Sequence, residues 1–130
     1  MNKLTKYLRI FFHFSILILI IFSLYPGSIV GLIIYGDLTL QPQLSKNFFN
    51  ISSNHFYTYM TISFLGFFAY YNHQKLKLIL IYLLFLSVVL EFFHLIIPGR
   101  TFQIPDLVGN IVGVVFVSII IFIYKIWFNR

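Results

Sequence analysis

Cysteine is absent from the 130 residues, which excludes disulfides, thiol nucleophiles and thiolate metal sites. Acid is almost absent: the carboxylates are Asp37, Glu91 and Asp106, against nine Lys and Arg, and only 9% of the chain is charged. So few charges cannot solvate the surface of an ordinary soluble domain. No nucleophile elbow, phosphate-binding glycine loop, internal repeat or low-complexity linker is present. The net charge of +6 does not make a nucleic-acid patch, because the basic residues lie in short flanks between apolar runs.

What the chain has is hydrophobic residue, 60% of the total, with seventeen Phe and nine Tyr and a mean hydropathy of +0.94. This is the composition of an integral membrane protein. Each span needs about 20 residues, so the length accommodates four helices and one long loop. The expectation is a single all-α membrane domain, residues 1–130, with helices over 8–25, 54–71, 76–97 and 106–128 and an outer loop over 26–53. The aromatic excess reads as lipid-facing bulk and interface belt.

Orientation follows from where the positive charges fall. Lys3, Lys6, Arg9, Lys75, Lys77, Lys125 and Arg130 then lie inside and only Lys46 and Arg100 outside, which predicts cytoplasmic N- and C-termini in a multi-pass cell-membrane protein. The first apolar run ends in Ser-Leu-Tyr-Pro-Gly-Ser without a small-x-small cleavage pattern and is read as a retained helix. The piece from Ile29 to Tyr35 is too short to span and is read as interfacial or re-entrant. Asn50-Ile51-Ser52 matches a glycosylation acceptor, a pattern of high chance rate.

The polar residues gather at one end. In Glu91 to Gly113, helical spacing puts Ser87, Glu91 and His94 on one face, and Asp106, Gly109, Asn110 and Gly113 on a face of the next helix. A third stripe, His55, Tyr59, Ser63 and Gly66, lies on the second helix. The two later stripes are expected to face each other, with Pro98-Gly99 turning the chain so that Arg100 folds back toward Glu91 or Asp106. His13 and His73 carry no chemical argument.

Glu91, His94, Pro98-Gly99-Arg100, Asp106, Asn110 and Gly113, in that spacing, resemble the signature of the VanZ-like family, small membrane proteins named for a teicoplanin-resistance protein. Leu24-Tyr25-Pro26-Gly27 and His55-Phe56 resemble further parts of it, although Ile51-Ser52 stands where an Asp-Lys pair is often found. The resemblance implies an envelope-facing membrane protein and tolerance of glycopeptide antibiotics. It does not fix a reaction.

Three readings of the cluster stay open. In the first it is a buried ion-pair lock between helices. In the second it is a ligand site of Glu91, His94, Arg100, Asp106, Asn110 and His55 for an anionic lipid head group, a lipid-linked envelope precursor or a peptide carboxylate. In the third it is a hydrolase or transferase with Glu91, His94 or Asp106 as acid and base. Glu91-x-x-His94 has the spacing of carboxylate-bridged metal sites but occurs once, so neither metal nor cofactor is expected. The partner that the composition implies is the lipid bilayer.

Overall fold

A computed structural model describes residues 3–71 and 74–128; His73 and Arg130 of the charge and histidine readings lie outside them. The architecture is all-helical: α1 (Lys3–Leu24), α2 (Ile29–Tyr35), α3 (Ser53–Tyr70), α4 (Leu76–Phe93) and α5 (Ile104–Phe128). Among the described residues the only strand-like feature is an isolated bridge between Phe48 and Ile51.

Three helices, not the expected four, are long and apolar enough to cross a membrane: α1, α4 and α5. The fourth expected span, α3, forms where predicted but is diluted by Ser53, Asn54, His55, Thr58 and Ser63. Its position explains that composition. It packs against α1, α4 and α5 together, so much of its circumference meets protein and need not be apolar. Of its large hydrophobic side chains only Phe68 is strongly exposed, whereas α1 and α5 each present a long row, such as Leu4, Phe11, Phe14 and Leu17, or Phe116, Ile119, Phe122 and Ile123. Rows of this extent suit hydrocarbon rather than water.

The interior is built from Phe12, Ile16 and Leu19 of α1, Tyr59, Ile62 and Ala69 of α3, Leu83, Leu86 and Leu90 of α4, and Val114 of α5. The glycine stripe of α5 meets α3 rather than α4. A Cβ on Gly109 would stand 2.7 Å from the Ser52 carbonyl oxygen, and one on Gly113 2.6 Å from that of Phe56. The missing side chains let two backbones touch. A hydrogen bond from Ser52 N to Pro105 O, 3.0 Å, fixes the starts of these two helices side by side.

Helix boundaries differ from expectation for identifiable reasons. α4 ends at Phe93, not 97, because the chain tightens into three-residue turns (His94 N to Glu91 O, Leu95 N to Phe92 O) as it approaches Pro98. α5 begins at Ile104 and takes Pro105 into its first turn, where a missing N–H leaves no helical bond unmade. α1 extends back to Lys3 through its basic flank.

The loop between α1 and α3 is ordered by its own bonds. Ser28 caps α2 by accepting from Gly31 N at 2.9 Å, and Gly36 closes it in the left-handed conformation. Asn54 accepts from Leu44 N and donates to Pro42 O, and Ser53 Oγ donates to Ser45 O. The polar run before α3 is thereby a clasp holding the loop over the helix starts. The turns at Gly27 and Gly99, both with positive φ, lie against each other: a Cβ on Gly99 would be 3.4 Å from Gly27 N.

Candidate functional site

All six residues singled out in the sequence lie at one end of the bundle. His55 stands in the first turn of α3, Glu91 in the last turn of α4 with His94 just after it, Arg100 in the following turn, and Asp106 and Asn110 in the first turns of α5. Because α4 stops at Phe93, Glu91 sits about 3 Å from the helix end at 1.5 Å per residue, rather than the larger depth that an end at 97 implies.

Glu91 is 1% exposed. Its Oε1 accepts the backbone N–H of Gln103 at 3.1 Å, so the carboxylate caps the entry to α5, where Gln103 O accepts from Asp106 N and Leu107 N. Its Oε2 lies 3.3 Å from His94 Nδ1 and has no aligned hydrogen-bond donor. The other nitrogen of His94, Nε2, is 3.1 Å from Ser23 O. A carbonyl only accepts, so Nε2 carries a proton; Nδ1 then faces a carboxylate favourably only if one more proton lies between them.

The second histidine is wired the same way. Asn110 Nδ2 donates to Ser87 O at 3.4 Å, which turns Oδ1 toward His55 Nδ1 at 2.8 Å. Nδ1 is therefore the protonated nitrogen, and Nε2 faces Asp106 Oδ2 at 3.4 Å. Glu91–His94 is buried, while His55 and Asp106 keep about a fifth of their side chains open (19% and 18%). Two histidine–carboxylate pairs thus converge from three helices, and a ring nitrogen of His55 and single oxygens of Glu91 and Asp106 all lie within 4.8 Å of one another.

Arg100 does not make the expected ion pair. Among the described residues no carboxylate lies within 4.0 Å of its guanidinium; Nε instead donates to Tyr25 O at 3.1 Å and Nη2 to Phe22 O. The guanidinium thus covers the bare carbonyls at the C-terminus of α1, where a cation is favoured. Partial burial lowers its pKa from the usual value, and the nearby charges of Glu91 and Asp106 act in the opposite direction. It stays charged.

A cavity of about 760 Å³ opens on this cluster. Its polar end is lined by His55, Glu91, His94, Arg100 and Asn110, and its walls are apolar, including Phe11, Ile18 and Phe22 of α1 and Ile62 and Leu65 of α3, with α2 along one side. From Phe22 to Phe11 the groove runs roughly 16 Å along α1. Tyr59 also lines it, fully buried with a hydroxyl that has no partner among the described residues. Sequence reasoning placed Tyr59 on the right stripe without giving it a role. The backbone groups of Gln103, Ser23, Phe22 and Tyr25 carry no sequence signal, since any residue supplies them. Comparison of the chain with family models, curated proteins and solved structures finds no match to any of them.

Proposed function

We propose that the chain is a multi-pass membrane protein that holds one amphipathic lipid, with its acyl chain in the α1–α3 groove and its head group at the polar cluster. The observation that carries this reading is a cavity with apolar walls and a charged, hydrogen-bonding floor. A mainly apolar concavity of several hundred Å³ with a few convergent polar groups is the usual form of a small-molecule site. Arg100 suits an anionic head group, since it is held in place by α1 and has N–H groups beyond the two engaged there. α3 crosses the membrane with its three apolar neighbours, both termini face the cytoplasm, and the cluster faces the envelope. In that setting the ligand is an anionic lipid or a lipid-linked envelope precursor, and glycopeptide tolerance, which the VanZ-like resemblance implies, follows from its capture.

Filling the groove tests this. Thr58 and Thr61 line it and are exposed, so Thr58→Trp and Thr61→Trp block it without replacing a core residue. Native mass spectrometry of the wild type should show one retained lipid, and the Trp variants should lose it while keeping their melting temperature. Equal retention by all three removes the reading.

The enzyme reading keeps one specific observation: Glu91 Oε2 and His94 Nδ1 face each other at 3.3 Å beside the cavity. If the pair moves a proton during a reaction, Glu91→Gln abolishes turnover but leaves lipid binding; a site that only holds the lipid shows no turnover in either form.

A further inference from the structure

We propose that His55, Glu91 and Asp106 bind one first-row divalent cation, Mn²⁺ or Zn²⁺, where α3, α4 and α5 meet beside the polar end of the groove. The residues come from α3, α4 and α5, and their donor atoms already lie within 4.8 Å of one another. Bonds of roughly 2.0 to 2.2 Å place donors about 3 to 4.5 Å apart, so a cation draws together a set whose separations are already at most 4.8 Å. One imidazole and two carboxylates form a nitrogen–oxygen donor set suited to these ions, and the absence of cysteine removes the softer alternatives.

Two further observations point to a cation. Glu91 is buried at 1% exposure, yet Oε2 has no aligned donor. Its one close polar neighbour is His94 Nδ1 at 3.3 Å, and a cation supplies the buried oxygen with a second, stronger partner. The second is the orientation of His55. Ser87 O fixes the Asn110 amide, Asn110 Oδ1 takes the proton of His55 Nδ1, and the lone pair of Nε2 is thereby aimed at the Asp106 carboxylate. This is how a histidine ligand is held by an outer hydrogen bond, with its free nitrogen presented among anionic oxygens.

The cation also resolves a conflict in the lipid reading, on which this consequence alone rests. Glu91 and Asp106 would repel an anionic head group; a divalent ion between them and the ligand reverses the local charge, and its remaining coordination positions accept phosphate oxygens. The metal site itself stands without the lipid.

The test uses the full chain in detergent, stripped of lipid and then treated with a chelator, so that failure of metal binding and failure of lipid binding are read separately. After equilibration with Mn²⁺ or Zn²⁺ and removal of excess, elemental analysis should find about one equivalent per chain, with a raised melting temperature. Asp106→Asn and His55→Gln should each weaken binding about ten-fold or more, whereas Asp37→Asn, in the exposed loop, should bind as wild type. Should those variants fail to fold, the electron-spin-echo spectrum of Mn²⁺ on the wild type decides: a coupling from one imidazole nitrogen supports the site. Its absence, substoichiometric metal, or undiminished binding by folded Asp106→Asn overturns it.

Discussion

The carboxylate of Glu91 and the backbone N–H of Gln103, twelve residues apart, are joined by a 3.1 Å hydrogen bond that ties the end of α4 to the start of α5. This bond needs an acceptor, not a charge. Glu91→Gln retains an acceptor of the same shape, whereas Glu91→Ala leaves a part-buried N–H unmet, a loss of about 1–3 kcal/mol. Thermal melts in detergent should therefore rank wild type and Glu91→Gln close together and Glu91→Ala well below them. Equal loss in both variants would mean that the ionised carboxylate itself holds the structure.

Arg100 belongs to α1 rather than to an acid. Arg100→Ala uncovers the carbonyls of Phe22 and Tyr25, and hydrogen bonds from a charged donor contribute about 1.5–3 kcal/mol. Arg100→Lys keeps the charge but not the fork that reaches two carbonyls at once, and should recover only part of the loss. If lysine restores full stability, the charge alone matters.

Gly109 and Gly113 set how closely α3 and α5 approach. An added methyl group at either would meet backbone oxygen at 2.7 or 2.6 Å, and backbone cannot swing aside as a side chain does. Gly109→Ala and Gly113→Ala should each destabilise by about 1–3 kcal/mol. Gly109 also lies three residues from Asp106, so its variant should weaken metal retention beyond the effect of Gly113→Ala; identical metal affinity in both would show that the helix pair relaxes without disturbing the cluster.

Much of this arrangement was legible in the sequence because membrane-scale apolar runs and polar stripes follow simple spacing. The faces carrying Ser87–Glu91–His94 and Tyr59–Ser63–Gly66 are buried as the period of a helix requires. Partner choice was not legible. The α5 glycines face α3, while Asn110 of that stripe donates to Ser87 O of α4, because backbone approach depends on three-dimensional packing rather than on order along the chain. Arg100 illustrates the same limit: its nearest charges in sequence are acids, yet helix-terminal carbonyls, which every sequence supplies, were the better-placed acceptors. The sequence reading counted α3 as a fourth apolar span, and three were found, because a helix packed against three others is built for its neighbours and not for lipid.

Orientation is tested with single cysteines in this cysteine-free chain. With both termini cytoplasmic, an impermeant thiol reagent added to intact cells should label a cysteine at Lys46 and not one at Lys75. The opposite pattern would place the polar cluster on the cytoplasmic face and move its ligand to the inner leaflet.

The central claim is that one lipid lies between α1 and α3 with its head at the cluster. Photo-crosslinking with a phospholipid that carries a diazirine in its acyl chain, followed by peptide mapping, tests it most directly. The account predicts adducts concentrated at groove residues such as Ile18, Phe22, Ile62 and Leu65, and their loss in Thr61→Trp. Adducts spread evenly over the exposed rows of α1 and α5, Phe14 and Ile119 included, and unchanged by Thr61→Trp, would contradict it.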